Sequence, residues 1–266
     1  MPGALKAPKP RMFVGSSGSA AKYAAEIKRL LLTDFQVQAW TDPGTFRPSL
    51  STIEALLDLL HRSDFASFVL DADDLLESKG RLELATRDNV LFEAGLFFGA
   101  RGREATFLFA PDIADLHVAT DLAGLTQLRF KDGDLASLAG RCAELKNFCL
   151  GEWRSAEAKI LTGRWRQNWE VTGSANFAQQ NPSRAYVAVF GQRWVSHFLV
   201  GKDIYTLEGT IRDRLITGRW FGPTEHHYHG VAQLAISPKL DKVEGIWTGF
   251  RSDGSIATGK WTWQPE

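Results

Sequence analysis

Hydrophobic and polar residues follow two different periods along the first half of the chain. Helical spacing of apolar positions predicts helices over residues 20–32, 52–61, 89–99 and 135–150. In the second of these helices we expect Ile53, Leu56, Leu57 and Leu60 to share the buried side. Short apolar runs predict strands over residues 12–14, 35–40, 65–70, 105–110 and 127–130. Strands that alternate with helices indicate an α/β fold, here a doubly wound parallel sheet.

The second half of the chain has strand-length runs separated by Gly, Pro and Asp. These runs predict strands over residues 163–171, 185–190, 194–200, 204–212, 216–221, 228–236, 242–250 and 255–263. Consecutive strands with short connections predict a small antiparallel up-and-down β-barrel. A barrel of this size is either filled by side chains or holds one small molecule.

The distribution of tryptophan supports a division into two domains. Of nine tryptophans, only Trp40 precedes residue 150. We therefore expect a flexible N-terminus over residues 1–10, an α/β domain over 11–150, a linker over 151–161 and a barrel over 162–266.

Composition excludes several classes of protein. The chain has 266 residues, 44% of them hydrophobic, and carries 31 Lys+Arg against 31 Asp+Glu. This balance argues against a disordered chain and against a polybasic nucleic-acid binder, and no apolar run is long enough to span a bilayer. No apolar stretch of signal-peptide length follows residue 9. We expect a cytoplasmic protein with neither DNA nor a membrane as partner.

Cysteines and histidines give no strong sign of a metal or a disulfide. Cys142 and Cys149 lie seven residues apart on a predicted helix, about 10 Å from each other, which is too far for a disulfide. His227 and His229 point the same way on a predicted strand. A metal there would need a third ligand, and His197 can supply it only from a neighbouring strand. We therefore predict two reduced thiols and no metal site.

Polar residues follow two predicted strands at the edge where a doubly wound sheet binds its ligand. The Gly-Ser-Ser-Gly loop at residues 15–18 lets backbone N–H groups approach a phosphate or a ribose. Asp71, Asp73 and Asp74 follow the third strand. The loop is equally explained as a turn, and the acidic residues as a solvated loop that caps the next helix.

An acidic residue within an apolar helix is the strongest chemical signal. Asp88 or Asn89 can cap a helix that has almost no polar face, and Glu93 lies inside it. A carboxylate in such surroundings must be paired, exposed at a cleft or neutralised by a raised pKa. A salt bridge to Arg87 or Arg101 is one explanation, and a carboxylate reserved for catalysis is the other.

Several short motifs occur along the first half of the chain in a characteristic order. They are Phe-Val-Gly-Ser-Ser at residues 13–17, Trp40, Asp-Phe-Ala at 64–66 leading to Asp73-Asp74, Arg-Asp-Asn-Val-Leu-Phe-Glu-Ala-Gly-Leu-Phe at 87–97 and Asp-Leu-Ala-Gly at 121–124. In this order they resemble the bacterial TIR (Toll/interleukin-1 receptor) domains of CBASS TIR-STING and Pycsar TIR effectors of antiphage defence. The resemblance covers residues 11–150 and implies a flavodoxin-like sheet. It also implies cleavage of the N-glycosidic bond between nicotinamide and ribose, with NAD⁺ as substrate and no cofactor.

The resemblance makes Glu93 the catalytic carboxylate. Loss of nicotinamide leaves positive charge on the ribose, which a nearby carboxylate stabilises. Nicotinamide is already a cationic leaving group, so no second acid is required.

The resemblance also places a mobile BB loop at residues 43–49. Arg47 or Arg87 can hold the pyrophosphate, and Phe46 or Trp40 can stack on a ring. The remaining candidates for substrate binding are Ser16, Ser17, Asp71, Asp73 and Asn89.

By analogy with these effectors, the barrel is expected to be a sensor for a cyclic nucleotide messenger. Its tryptophans can line a pocket for a base with phosphate, together with Arg164, Arg166, Arg193, Arg212, Arg214 and Arg219. The other explanation is that the tryptophans are core and the arginines solvated. Because neighbouring protomers complete the family's sites, we expect self-association into an oligomer or filament.

Two other functions stay open. TIR domains also act as self-associating adaptors, so the chain can be a non-catalytic scaffold whose barrel binds a ligand or a protein. Nucleoside 2-deoxyribosyltransferases have a similar sheet and a glutamate on an equivalent helix. The first domain can therefore also be a nucleoside-processing enzyme.

Overall fold

Two compact units make up the chain. The computed structural model describes residues 5–45, 51–72, 74–78, 81–113, 116–117, 125–152, 155–172, 182–223, 229–250 and 254–266. The first unit is Lys9–Trp153, and the second combines Met1–Pro8 with Arg154–Glu266. No described helix is both long enough and apolar enough to cross a membrane.

A five-stranded parallel sheet forms the centre of the first unit. Its strands are β1 (Arg11–Ser16), β2 (Gln36–Ala39), β3 (Phe65–Val69), β6 (Thr106–Pro111) and β8 (Thr126–Phe130). The order in the sheet is β2-β1-β3-β6-β8, and every neighbouring pair is parallel. This is the flavodoxin-like order, in which the strand sequence reverses beside β1 and β3. The predicted fold class is confirmed.

Four helices cover the two faces of this sheet. They are α1 (Ala21–Leu31), α2 (Thr52–Arg62), α3 (Asp88–Arg101) and α4 (Leu135–Asn147). Side chains of α1 and α4 pack into one apolar cluster, and side chains of α2 and α3 pack into the other. Cys142 and Cys149 are buried free thiols in the first cluster, and burial raises the pKa of Cys142 to about 12. The prediction of two reduced core thiols is confirmed.

The buried side of α2 differs from the predicted one. Its buried residues are Ala55, Leu56, Leu59 and Leu60, whereas Ile53 is 55% exposed and Leu57 is 40% exposed. Apolar residues occupy more than one side of this helix, so its sequence fits two orientations. In the folded domain the side that packs against the sheet consists of two pairs with i, i+4 spacing, residues 55 and 59 and residues 56 and 60.

A second, smaller sheet was not predicted. It consists of β4 (Asp74–Ser78), β5 (Arg81–Ala85) and β7 (Leu116–His117), in the order β4-β5-β7. Asp74, which we expected in a loop, begins β4. The pairing of β5 with β7 joins residues more than 30 positions apart, which a local pattern does not reveal.

The second unit is a closed eight-stranded barrel. Its strands are β9 (Gly163–Trp169), β10 (Ser183–Phe190), β11 (Arg193–Val200), β12 (Asp203–Arg212), β13 (Leu215–Phe221), β14 (His229–Ile236), β15 (Val243–Phe250) and β16 (Ile256–Pro265). Each strand pairs antiparallel with the next, and β16 pairs back with β9. The predicted up-and-down barrel is confirmed. Since a closed barrel has no edge strands, its backbone is fully paired around the ring.

A short helix precedes the barrel. Residues of the predicted linker form α5 (Ala156–Leu161), whose Ala158 and Leu161 belong to the barrel core. The Trp165 indole N–H donates to the Leu161 carbonyl at 2.9 Å. These contacts attach α5 to the end of the barrel at which β9 begins.

Tryptophans fill the barrel core, and arginines lie outside it. The buried tryptophans are Trp165, Trp194, Trp220, Trp247, Trp261 and Trp263. Of the six arginines proposed to line a pocket with them, Arg193 is half-buried and pairs with Glu208, and the others are exposed. Successive residues of a strand face opposite sides, so each arginine that flanks a core tryptophan points outward. The predicted pocket formed jointly by Trp and Arg is wrong.

Glycines make room for the indole rings. The ring of Trp220 lies over Gly249, where an added Cβ atom would come 2.3 Å from Trp220 Cζ2. At Gly230 an added Cβ would come 2.0 Å from the Thr248 carbonyl oxygen and 2.7 Å from Trp220 Nε1. Both positions therefore require the absence of a side chain.

We predict that Gly230→Ala lowers the free energy of unfolding of the barrel by about 1–3 kcal/mol, because the methyl group overpacks the core. Urea denaturation followed by tryptophan fluorescence measures this change. The matched control is Val231→Ala, since Val231 is 61% exposed on the outer face and its truncation is expected to cost less than about 0.5 kcal/mol. Equal effects of the two substitutions would contradict this account of the core.

Candidate functional site

Glu93 lies against the carboxyl end of strand β1, which pairs with β2 and β3. A Cβ atom added to Gly15 would come 3.3 Å from Glu93 Oε2 and 2.6 Å from Phe68 Cδ1. The carboxyl group of α3 thus packs onto the backbone of β1, which only a glycine at position 15 permits. Sequence reasoning included Gly15 in a phosphate-binding loop and missed this contact.

Aromatic side chains pack where α3 contacts the sheet. The ring of Phe97, one turn after Glu93, stacks on Phe13 at 5.4 Å and meets the edge of Phe68 at 5.5 Å. All three rings are fully buried. The half-buried Glu93 therefore has an apolar wall on the side of the core.

Burial raises the pKa of Glu93 to about 7. Loss of water around the carboxyl group is the cause, and Glu93 makes neither a hydrogen bond nor an ion pair with the part of the chain that the structure describes. The predicted salt bridge to Arg87 or Arg101 is wrong. Arg101 instead donates to the carbonyl oxygens of Leu60 and His61.

The polar residues at the start of α3 are exposed. The helix begins after Arg87, and no side chain caps it, so the predicted cap by Asp88 or Asn89 is wrong. Arg87, Asp88 and Asn89 are all exposed. Asn89 precedes Glu93 by four residues and lies on the same side of the helix. An exposed amide and a half-buried carboxyl group thus follow each other along one side of α3.

A hydrogen bond joins two of the predicted substrate-binding residues. The indole N–H of Trp40 donates to Ser16 Oγ at 2.7 Å. Ser16 ends β1, and Trp40 follows β2, the neighbouring strand. The Trp40 ring is half-buried and packs on the apolar cluster that includes α3. The structure therefore brings Ser16 and Trp40 together at the same strand ends as Glu93.

A second set of polar contacts connects the ends of β1 and β3. Ser17 Oγ lies 3.0 Å from Ser19 Oγ, and Ser19 Oγ donates to Asp71 Oδ2 at 3.4 Å. Ser19 was not among the predicted residues, although it is the third hydroxyl of the same loop. The structure places Ser17 and Asp71 at one edge, as the sheet topology requires.

Three predicted residues lie outside the described part of the chain. They are Phe46, Arg47 and Asp73, and the proposed BB loop is described only as far as residue 45. Their roles stay predictions.

Two of the three candidate metal-binding histidines, His197 and His229, lie on strands that do not pair with each other. His197 lies on β11, which pairs with β10 and β12 and not with the strand of His229. Its Nδ1 lies 3.0 Å from the Lys6 carbonyl oxygen. His227 lies outside the described residues, among which no group of three metal-ligating side chains occurs.

Taken together, the edge of the sheet presents a carboxyl group and several hydroxyls. Glu93 can be charged or neutral near pH 7, Ser16 and Ser17 offer hydroxyls, and Asp71 offers a carboxylate. Such an edge can bind the hydroxyls of a sugar and stabilise positive charge on it.

The first unit matches known proteins. Residues 11–132 match the family described as CAP12/Pycsar effector protein, TIR domain. A Pseudomonas aeruginosa protein named Pycsar effector protein PaPycTIR is 36% identical over 141 residues, which cover 51% of this chain and 46% of that relative. CD-NTase-associated protein 12 of Sphingobacterium faecium is 37% identical over 122 residues, 46% of this chain and 36% of the relative. The chain spans less than half the length of either relative.

The comparison of structures gives weaker likenesses. Transferrin Binding Protein B of Haemophilus parasuis, in a Trp-176-Ala mutant, matches 39% of this chain and 27% of its own, with 12% identity and a TM-score of 0.29. A likeness at this level supports no argument about function.

We predict that Glu93→Gln raises the free energy of unfolding at pH 8 by about 1–3 kcal/mol. In the wild type the folded state holds the proton of Glu93 up to about pH 7, above the ordinary value of 4.5. This carboxyl group therefore contributes fully to stability at low pH, and its contribution is lost as the pH rises through 7.

Thermal unfolding of both proteins between pH 5 and pH 8 measures the effect. The difference should grow from pH 5 to about pH 7 and level off above it, because the carboxyl group is then ionised in the folded and the unfolded state. The control is Glu26→Gln, since Glu26 is ion-paired with Arg29 and its pKa is lowered. A constant difference between Glu93→Gln and the wild type would contradict the prediction.

Proposed function

We propose that the first unit of this chain, which matches the CAP12/Pycsar effector TIR-domain family over residues 11–132, is an NAD⁺ nucleosidase. It cleaves the bond between nicotinamide and ribose, with Glu93 as the catalytic carboxylate, and acts in antiphage defence. The relatives named as Pycsar effectors and CD-NTase-associated proteins support the defence role.

One observation carries the proposal. Glu93 is half-buried at the carboxyl end of the sheet, without a partner among the described residues, and its pKa is raised to about 7. A structural carboxylate normally has a partner that compensates for its lost hydration. A group left without one, at the edge where this fold binds ligands, is a candidate for catalysis.

The chemistry follows from the state of this carboxyl group. As the C1′–N bond breaks, positive charge develops on C1′ and the ring oxygen of the ribose. The carboxylate of Glu93 stabilises this charge, and in apolar surroundings the attraction exceeds that in water. Nicotinamide departs as a neutral molecule with the electron pair of the C1′–N bond, so no second acid is needed. Water then adds to C1′ and loses a proton to the solvent. Glu93 must be ionised to stabilise the positive charge between these steps.

We infer that the barrel receives a cyclic nucleotide signal, as the family name of CD-NTase-associated protein 12 suggests. Because tryptophans fill the described core, we expect the nucleotide to bind away from the centre of the barrel. Exposed apolar residues on α2 and α3 support self-association of the first unit on activation. They are Ile53, Leu57, Phe92 and Phe98.

We predict that Glu93→Gln and Glu93→Ala reduce NAD⁺ cleavage at least about 100-fold, the loss expected when a group that stabilises transition-state charge is removed. Chromatography of released nicotinamide measures the rate. Circular dichroism verifies that the variants fold. Glu144→Gln serves as control, because Glu144 pairs with Arg141 on the exposed side of α4. Unchanged cleavage in the Glu93 variants would overturn the assignment.

The same assay across pH tests the charge state. Because the ionised form is active, kcat/KM of the wild type should rise with pH and level off above an apparent pKa near 7. A rate that falls through this range would mean that Glu93 acts as a proton donor.

We predict that a cyclic nucleotide increases the rate of NAD⁺ cleavage and the mass of the assembly together. Assays with a panel of cyclic mono- and dinucleotides, with light scattering in parallel, test this. Full activity of a monomer without any nucleotide would contradict the switch. Assembly without NAD⁺ cleavage would favour a scaffold, and base exchange on purine deoxynucleosides would favour a deoxyribosyltransferase.

A further inference from the structure

We propose that Trp40 is a positioning residue that acts through Ser16, and that the Ser16 hydroxyl donates a hydrogen bond to a ribose oxygen of NAD⁺ beside Glu93. Trp40 was expected to stack on a ring of the substrate. Its contacts assign it a different task. The inference rests on the proposed function and adds to it a residue that determines substrate binding.

The hydrogen bond between Trp40 and Ser16 has only one possible direction. An indole N–H can only donate, so Ser16 Oγ is the acceptor in its 2.7 Å contact with Trp40. The hydroxyl proton of Ser16 must then point elsewhere. Ser16 is buried, and its proton meets no acceptor in the part of the chain that the structure describes. It therefore remains available for an acceptor oxygen on a ligand.

Trp40 is well held, which makes it a good positioning group. Its backbone N–H donates to the Val14 carbonyl at 3.0 Å, in continuation of the pairing between β1 and β2. Its ring packs on the cluster that also includes Leu91 and Leu96 of α3. A ring that is half-buried in the core is poorly placed to stack on a substrate, whereas its edge is fixed on Ser16.

Trp40 links the Ser16 hydroxyl to the side of the sheet that carries Glu93, because its indole donates to Ser16 and its ring packs on the cluster that includes α3. Glu93 Oε2 packs against Gly15, and Ser16 is the next residue. A ribose bound at Glu93 lies within reach of both groups. The carboxylate accepts hydrogen bonds from the sugar, and the Ser16 hydroxyl donates one, so the two groups recognise complementary features of the same sugar.

A double-mutant cycle of Trp40→Phe and Ser16→Ala tests the proposal. Each single variant should raise KM for NAD⁺ about fivefold with kcat nearly unchanged, as expected for one lost neutral hydrogen bond that binds substrate and transition state alike. The double variant should show the same fivefold effect and not a 25-fold one, because both substitutions break one chain of interactions.

Tyr23→Phe is the matched control. It removes a hydrogen bond of similar strength in the other core cluster, where the Tyr23 hydroxyl donates to Asp132 Oδ1. It should lower the melting temperature without changing KM.

The remaining outcomes separate this inference from the proposed function. Multiplicative effects in the double variant would overturn the coupling. Normal kinetics in Trp40→Phe with a large loss in Trp40→Ala would support stacking and overturn the positioning role. If the wild type neither cleaves NAD⁺ nor binds it in calorimetry, both proposals fail. If the wild type cleaves NAD⁺ and both single variants match it, only the inference fails.

Discussion

The desolvation of one carboxyl group dominates the chemistry of the first unit. Glu93 lies between the backbone of β1 at Gly15 and a wall of phenylalanine rings, and this position raises its pKa to about 7. A carboxylate in this position lowers the stability of the fold. Such a cost is typical of groups that serve a function. This contact requires the glycine at position 15, because any side chain there would displace the carboxyl group of Glu93 or the ring of Phe68.

Hydrogen bonds around the same edge organise the loops that follow β1, β2 and β3. Trp40 binds Ser16, and Ser17 connects through Ser19 to Asp71. These contacts hold loops from three strands in fixed positions relative to Glu93. The carboxyl ends of parallel strands meet at one edge, so residues far apart in the chain supply a single set of donors and acceptors. Preorganisation of this kind lets a site stabilise charge without reorganising during the reaction.

The barrel depends on a different constraint, the fit of large rings to small residues. Trp220 occupies the space above Gly230 and Gly249, and Trp247 and Trp261 pack edge to face against it. Such packing makes the core specific and leaves the outer face free to carry arginines. Side chains therefore fill the described core of the barrel.

The sequence alone determined the elements that have a regular hydrophobic period, since periodicity and composition are local properties. It predicted the strands of the parallel sheet, all eight strands of the barrel and the apolar helix that carries Glu93. Tertiary structure decided what depends on contacts between distant residues. It paired β5 with β7, turned Ile53 and Leu57 outward, and joined Trp40 to Ser16 across 24 positions. Among the described residues it also left Glu93 without a salt bridge, and Arg101 instead donates to the carbonyl oxygens of Leu60 and His61. A hydrophobic pattern predicts that a side chain is buried, but only the assembled fold determines which residues it packs against.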